Sequence, residues 1–213
     1  LIPVITGHLM KTGSDVQLTE TNKIIKKNIE EDKPPVIVKT VRKIFPYVKL
    51  RSRSNIISEE KIVSSLIKYN LFDSEHNPKG NFLNRYRTEV FNQQKVVIDG
   101  KTGLMWDYRG SFKSMSISSA RKWIKELNKK KFAGFSNWRL PTIEEGASLL
   151  EKKKWYGDLH IFSVFSIVQK EIWTSDIKDS KNSNWIISFK KGRIRNVSLF
   201  RKRSFVRPVR KLN

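Results

Sequence analysis

Residues 137–145 read Asn-Trp-Arg-Leu-Pro-Thr-Ile-Glu-Glu and hold the clearest local structural signal in the chain. Thr142 and Glu145 have the spacing of a capping box, in which a hydroxyl and a carboxylate satisfy free N–H groups at the start of a helix. Pro141 stands directly ahead of this pair, a position typical of a helix start. The pattern predicts a helix beginning there. Its buried side chains should be Ile143, Ala147 and Leu150.

Two further helices are predicted from the spacing of apolar residues. One spans about residues 59–70, where Ser58 can cap the free N–H groups and two glutamates suit the positive end of the helix dipole. The other spans about residues 117–130, because Ala120, Trp123, Ile124 and Leu127 recur at helical spacing.

Short strands account for much of the remaining apolar sequence. A β-hairpin is expected where Asp99 to Gly103 separates two apolar runs. Four more strands are expected at 172–175, 185–189, 194–199 and 205–209, with Lys190 to Arg193 as a hairpin turn. The predicted fold class is α+β, with two main helices and short twisted antiparallel strands.

The distribution of tryptophan indicates where the packed domain lies. All six tryptophans fall between residues 106 and 185, and large aromatic side chains dominate core burial. We expect the domain to span residues 91–213, preceded at 58–90 by a helix and a lead-in segment. Residues 1–57 alternate short apolar runs with lysine-rich stretches. They fit an extended arm that packs on another surface, and they also fit a solvated linker with one or two edge strands.

A series of motifs runs through the second half of the chain. It comprises Thr102-Gly103-Leu104-Met105-Trp106, Asn137 to Thr142, Trp173-Thr174-Ser175, Trp185 and Val206-Arg207-Pro208-Val209-Arg210. This order resembles the Lcl C-terminal domain family over residues 68–211. The resemblance implies a C-type-lectin-like fold, related to that of formylglycine-generating enzymes. Gly146 departs from the family pattern, which usually has an apolar residue there.

The resemblance also implies export to an extracytoplasmic place such as the periplasm or the cell surface of a bacterium. The chain begins with Leu1 and its first residues lack a signal-peptide pattern, so a targeting segment is expected to be missing from this sequence. No run approaches the roughly 18 to 20 apolar residues that span a bilayer.

Catalysis is not expected. The chain has no cysteine, whereas the formylglycine-generating relatives need reactive cysteines. His8, His76 and His160 are far apart, which argues against the histidine-bound iron of the sulfoxide-synthase relatives. The stretch that begins at Asp73 faintly resembles a calcium loop, but Pro78 occupies the place of the required glycine. We expect no enzymatic activity, no cofactor and no metal.

The tryptophans and arginines of the family motifs are interpreted as structural. In a packed domain a tryptophan is usually core, and an arginine usually ties down carbonyls or a carboxylate. The structural set is Trp106, Trp138, Arg139, Pro141, Trp173, Arg207 and Arg210.

The strongest functional signal is the positive charge. The chain carries a net charge of +23, and its second half is the more basic, with 26 basic and 9 acidic residues after position 100 against 17 and 11 before it. From Phe189 to Asn213 there is no acidic residue, and strand alternation should turn many cations outward. The predicted basic face comprises Lys190, Lys191, Arg193, Arg195, Arg201, Lys202 and Arg203. Two clusters, interpreted as exposed helix ends, could extend it: Lys129, Lys130 and Lys131, and Lys152, Lys153 and Lys154.

These observations favour a non-enzymatic interaction or assembly subunit, in which the basic face and the N-terminal arm dock on an acidic protein of a larger complex. The alternative is an exported adhesin that binds sulfated polysaccharide through the same face. Nucleic-acid binding ranks last, because the charge comes without a known motif or an array of stacking aromatics in a basic groove.

Overall fold

The computed structural model describes residues 47–178 and 182–212. The helices within these residues are α1 (Glu59–Lys68), α2 (Ile117–Lys129) and α3 (Ile143–Ala147), and a 3-10 turn (Phe132–Gly134) follows α2. The strands are β1 (Tyr86–Phe91), β2 (Gln94–Asp99), β3 (Leu104–Asp107), β4 (Glu171–Trp173), β5 (Ser183–Ser188), β6 (Arg193–Ser198) and β7 (Val209–Lys211). This mixture confirms the predicted α+β class.

The first sheet contains four antiparallel strands in the order β1-β2-β3-β7. The predicted hairpin is confirmed, since β2 pairs with β3 across the turn that Asp99 begins. The Asp99 carboxylate accepts hydrogen bonds from the Lys101 N–H at 2.8 Å and the Thr102 hydroxyl at 2.6 Å, and Gly103 adopts the positive φ of 68° that closes the turn. Both faces of the sheet are covered, because Trp106 packs into the main core and Met105 packs against Trp138 on the other side.

The second sheet contains three antiparallel strands in the order β4-β5-β6. Strands β5 and β6 form the expected hairpin, with Gly192 at a φ of 67° in its turn. The strand expected at 205–209 is wrong in its extent: Ser204 and Phe205 form isolated bridges, and β7 begins only at Val209. Pro208 has no N–H to donate to a ladder, which interrupts the pairing between these positions.

The packed unit begins earlier in the chain than the sequence suggested. Leu50 and Ile57, which were assigned to the arm, and Leu66 and Phe72 of the lead-in segment lie in the same core cluster as Trp106. The predicted boundaries at residues 57 and 90 therefore cross a continuous core, because the apolar face of α1 is buried against the rest of the domain. The remainder of the predicted arm, residues 1–46, lies outside the described residues.

The three helices begin where the sequence indicated, but by different means. Thr142 and Glu145 form the complete capping box at the start of α3, and Ser116 caps α2 by accepting a hydrogen bond from the Ser119 N–H at 3.2 Å. Ser58 is the N-cap residue of α1, yet its hydroxyl makes no capping bond. Helix α3 is only five residues long, and its first turn is entirely buried.

A network of buried charges holds α3 against two distant segments. Asp176 has no exposed surface and accepts hydrogen bonds from the Ile143 N–H and the Asn55 N–H, both at 2.7 Å. The Arg51 guanidinium binds both oxygens of Asp176 at 2.7 Å and reaches Glu144 at 2.6 Å. Burial by itself would lower the pKa of Arg51, but the hydrogen bonds to Asp176 and Glu144 outweigh it and raise that pKa above its ordinary value. Residues 51–55 are thereby fixed beside α3.

The position that departs from the family pattern yields a stability prediction. A Cβ added at Gly146 would lie 2.6 Å from Ile187 Cγ1, closer than real Cβ contacts. Gly146→Ala should therefore lower the free energy of unfolding by about 1–3 kcal/mol, although alanine favours the helix. Urea denaturation measures the change, and combination with Ile187→Ala should cost less than the sum of the single variants.

Gly100→Ala is the matched control, because the added Cβ would meet its nearest neighbour, the Arg85 carbonyl oxygen, at an ordinary 3.5 Å. It should change stability by no more than about 0.5 kcal/mol. Equal stability of Gly146→Ala and the wild type would contradict the close packing of α3 on β5.

Candidate functional site

A cleft of about 290 Å³ lies beside the second sheet and is lined mainly by cations. We call it the basic cleft and define it by Lys170, Lys190, Lys191, Arg195 and Arg203. Ser114, Ser188 and Phe205 complete its polar and apolar wall, and Glu171 is the one carboxylate among its lining residues.

Backbone pairing brings these cations together from separate parts of the chain. The Lys190 N–H donates to the Lys170 carbonyl at 3.2 Å, which joins the end of β5 to the start of β4. Phe205 bridges to Ile172 in parallel, with the Phe205 N–H donating to the Glu171 carbonyl at 3.2 Å. This bridge carries the segment that contains Arg203 alongside β4. Arg203 then donates to the Ser114 carbonyl at 2.8 Å, which orients its guanidinium.

The seven residues of the predicted basic face divide into three groups. Lys190, Lys191, Arg195 and Arg203 line the basic cleft. Arg193 and Lys202 are neutralised within the domain, by Glu75 and Glu171 respectively. Arg201 is exposed, has a positive φ of 54° and stacks over the Phe200 ring instead of lining the cleft.

The ion pair of Lys202 with Glu171 changes the electrostatics of the cleft. Because Lys202 neutralises the only carboxylate in the lining, the five cleft cations have no acidic counterpart there. Like charges that face one concave surface repel each other, and the repulsion is relieved when an anion enters. The cleft is therefore suited to binding an anionic group.

The two secondary lysine clusters differ in their surroundings. Lys129, Lys130 and Lys131 are exposed where α2 ends, as the sequence indicated, and Lys130 is its C-cap residue. Lys152, Lys153 and Lys154 lie in a loop beyond α3 and not at a helix end, which corrects the sequence interpretation. The reason is local: α3 closes into a turn after Ala147. Lys153 lies over the Trp155 ring, and Lys154 pairs with Asp158 at 3.0 Å.

The motif tryptophans pack in the interior, and two of them donate their indole N–H groups to backbone carbonyls. Trp138 donates to the Phe132 carbonyl at 2.9 Å, and Trp173 donates to the Met115 carbonyl at 2.8 Å. Trp106 has no exposed surface. Pro141 accepts a hydrogen bond from the Ser175 N–H at 2.7 Å through its carbonyl. None of these groups reaches the basic cleft.

The motif arginines are bound inside the domain. Arg139 forms a bidentate pair with Glu145 at 2.6 Å, and Arg210 donates to the Asn137 side chain at 2.7 Å while lying 3.8 Å above the Phe135 ring. Arg207 has no exposed surface and donates to the carbonyls of Asp107, Tyr108 and Ser166 and to the amide oxygen of Gln169. Burial lowers the pKa of Arg207 to about 10, so the guanidinium remains charged at neutral pH.

The histidines and the Asp73 loop have local roles. Asp73 is fully buried and accepts hydrogen bonds from the backbone N–H groups of Glu75, His76 and Ile194, so it anchors the lead-in segment to β6. His160 contacts the Glu151 carbonyl at 2.8 Å and stacks on Phe72, and His8 lies outside the described residues. Across 47–178 and 182–212, no group of three His, Cys, Asp or Glu side chains is arranged to hold a metal ion.

Sequence reasoning missed Lys170 and the two internal ion pairs. Lys170 stands twenty residues before Lys190 and outside the acid-free C-terminal stretch. Only the antiparallel pairing of β4 with β5 places it at the cleft. The pairs of Arg193 and Lys202 join residues 118 and 31 positions apart, so strand alternation could not have indicated them.

The buried position of Arg207 yields a second prediction. Arg207→Met should lower the free energy of unfolding by about 3 kcal/mol or more, because four oxygen acceptors, two of them buried, lose their donor. Thermal unfolding monitored by circular dichroism measures the loss. Arg203→Met is the matched control and should cost no more than about 1 kcal/mol, since its side chain is exposed. Similar losses in the two variants would contradict a structural role for Arg207.

The described part of the chain contains no helix of the length and apolar character that crossing a membrane requires. A comparison with curated proteins finds no match. The profile of the Lcl C-terminal domain matches residues 95–210. This range begins in β2, contains every motif tryptophan and arginine described above, and ends within β7. The chain therefore belongs to the Lcl C-terminal domain family.

Proposed function

We propose that this protein is a non-enzymatic interaction subunit that docks through the basic cleft on an acidic segment of a protein partner. The observation that carries the proposal is the convergence of Lys170, Lys190, Lys191, Arg195 and Arg203 on one concave surface whose only carboxylate is already paired. The proposal includes a C-type-lectin-like fold, an N-terminal arm that helps the docking, and an extracytoplasmic location.

The electrostatics of the cleft favour a protein partner with clustered carboxylates. Lys170, Lys190, Lys191 and Arg203 are exposed, so each contact with a carboxylate contributes at most about 1 kcal/mol. Affinity therefore requires several contacts at once, as an acidic segment that follows the cleft would supply. Complementary charge also accelerates association and excludes basic partners.

The wall of the cleft adds groups that suit a peptide. Phe205 is half-buried and offers an apolar contact, and the cleft lies beside the start of β4, an outer strand of the second sheet. Ser114 and Ser188 add hydroxyl groups that can donate to carbonyl or carboxylate oxygens. A combination of apolar contact and hydrogen-bond donors is typical of peptide-binding surfaces.

Sulfated polysaccharide is the second candidate. The observation that favours it is the mixture of arginine, lysine and hydroxyl donors in one cleft. The guanidinium group of arginine can donate two parallel hydrogen bonds to a tetrahedral oxyanion such as a sulfate group. The two candidates differ in the anion that the cleft prefers, and a direct comparison of ligands separates them.

The proposal predicts a position-specific loss of binding. In about 0.15 M salt, Lys190→Gln/Arg195→Gln/Arg203→Gln should bind a labelled polyglutamate peptide roughly tenfold to hundredfold more weakly than the wild type. Three lost contacts of up to about 1 kcal/mol each account for this change. Fluorescence anisotropy measures the Kd.

Lys129→Gln/Lys130→Gln/Lys131→Gln is the control, because it removes the same net charge at the end of α2. It should weaken binding by less than about threefold, since charges outside the contact act only through screened solvent. Equal losses in the two triple variants would show that the basic cleft is not the site. Tighter binding of a heparin octasaccharide than of the peptide, lost in the cleft variant, would favour the second candidate.

A further inference from the structure

A second pocket, of about 460 Å³, lies on another part of the surface between α2 and the segment before α1. Its lining comprises Ser52, Ser54, Arg121, Ile124, Lys125, Arg139, Leu140 and Ser175. None of these residues belongs to the basic cleft. We call this site the serine-arginine pocket.

The charge of the serine-arginine pocket is positive and uncompensated. Arg121 and Lys125 are exposed on α2, four residues apart and therefore on the same face of the helix. No carboxylate lines the pocket, and neither cation forms an ion pair with the described residues. Arg139 is neutralised by Glu145, and its side chain, which is 29 % exposed, contributes to the pocket surface.

Three serines line the same pocket. Ser52 and Ser54 come from the segment before α1, and Ser175 follows β4. Ser175 Oγ is buried and has no hydrogen-bond partner among the described residues. An unpaired buried hydroxyl costs free energy, so the site gains when a ligand oxygen supplies the partner. Rotation about the χ1 bond of Ser175 turns the hydroxyl without moving the backbone.

The walls of the pocket are held in place before any ligand arrives. Arg51 and Asn55, which flank Ser52 and Ser54, are both bound to the buried Asp176. The Ser175 N–H donates to the Pro141 carbonyl at 2.7 Å, and Ile124 is a buried residue of α2 itself. A preorganised wall reduces the entropy that binding must overcome.

We propose that the serine-arginine pocket binds a small organic monoester of phosphate or sulfate. The oxyanion contacts Arg121 and Lys125 and accepts hydrogen bonds from the serine hydroxyls, since an arginine fork matches tetrahedral oxyanions. The organic part rests against Ile124 and Leu140, because a volume in the range of small-ligand pockets exceeds what a bare oxyanion fills. The proposal does not depend on the function of the basic cleft.

Phenyl phosphate and phenyl sulfate are the probes, with phenol as the uncharged analogue. Calorimetric titration in about 0.15 M salt should show binding of at least one of the two esters and none of phenol. Arg121→Gln/Lys125→Gln should weaken that binding by about tenfold or more. The preference between the two esters assigns the ligand to the phosphate or the sulfate class.

Lys122→Gln/Lys129→Gln is the matched control, because it removes two charges from exposed positions of the same helix outside the pocket. It should leave the Kd within about twofold of the wild-type value. Ser175→Ala should weaken binding by about threefold or more without lowering the thermal stability, because its hydroxyl has no partner to lose. Absence of binding of both esters, or equal losses in the two helix variants, would overturn the proposal.

Discussion

The arrangement of this domain depends on the pairing of buried charges around the first turn of α3. Asp176 and Glu145 have no exposed surface and Glu144 very little, so each would be costly to bury as an unpaired carboxylate. Arg51 and Arg139 supply the compensating positive charges, and backbone N–H groups of Ile143, Asn55 and Thr142 provide further donors. A buried ion pair is not a large source of stability, but it is satisfied in only one arrangement of its segments. The network thus determines where residues 51–55 and the segment after β4 lie.

Arg207 has a comparable role at the end of β3 in the first sheet. It is a fully buried cation without a carboxylate in direct contact, and carbonyl and amide oxygens satisfy it instead. Burial also raises the pKa of the Asp107 carboxyl, whereas hydrogen bonds from backbone N–H groups and the nearby Arg207 charge act in the opposite direction. The motif from Val206 to Arg210 therefore links the turn after β3 to the loop before β4 through Arg207. The nearby Phe205 bridges to Ile172 of β4, and this pairing brings the segment that contains Arg203 to the basic cleft.

The two surfaces that we propose to bind anions both rest on this framework, and they differ in design. The basic cleft collects exposed cations along a sheet and suits a partner that makes many weak contacts. The serine-arginine pocket has fewer charges, a preorganised wall and hydroxyl groups, which suits a small ligand held by directed hydrogen bonds. A net charge of +23 attracts anions without selecting one site, so geometry and not charge alone distinguishes these two surfaces.

Local patterns in the sequence determined the α+β class, the starts of the three helices, the hairpins at Asp99 to Gly103 and after Phe189, and the burial of the motif tryptophans. Those features depend on neighbours within a few residues, such as Thr142 with Glu145, or on the apolar character of one side chain. Tertiary structure alone decided that Leu50 and Ile57 join the core, that Lys170 lines the basic cleft, and that Glu75 and Glu171 neutralise Arg193 and Lys202. It also decided that Ser52, Arg121 and Ser175 share a pocket. Each of these facts joins residues far apart in the chain, and the packing that joins them is a property of the whole core, which no local pattern encodes.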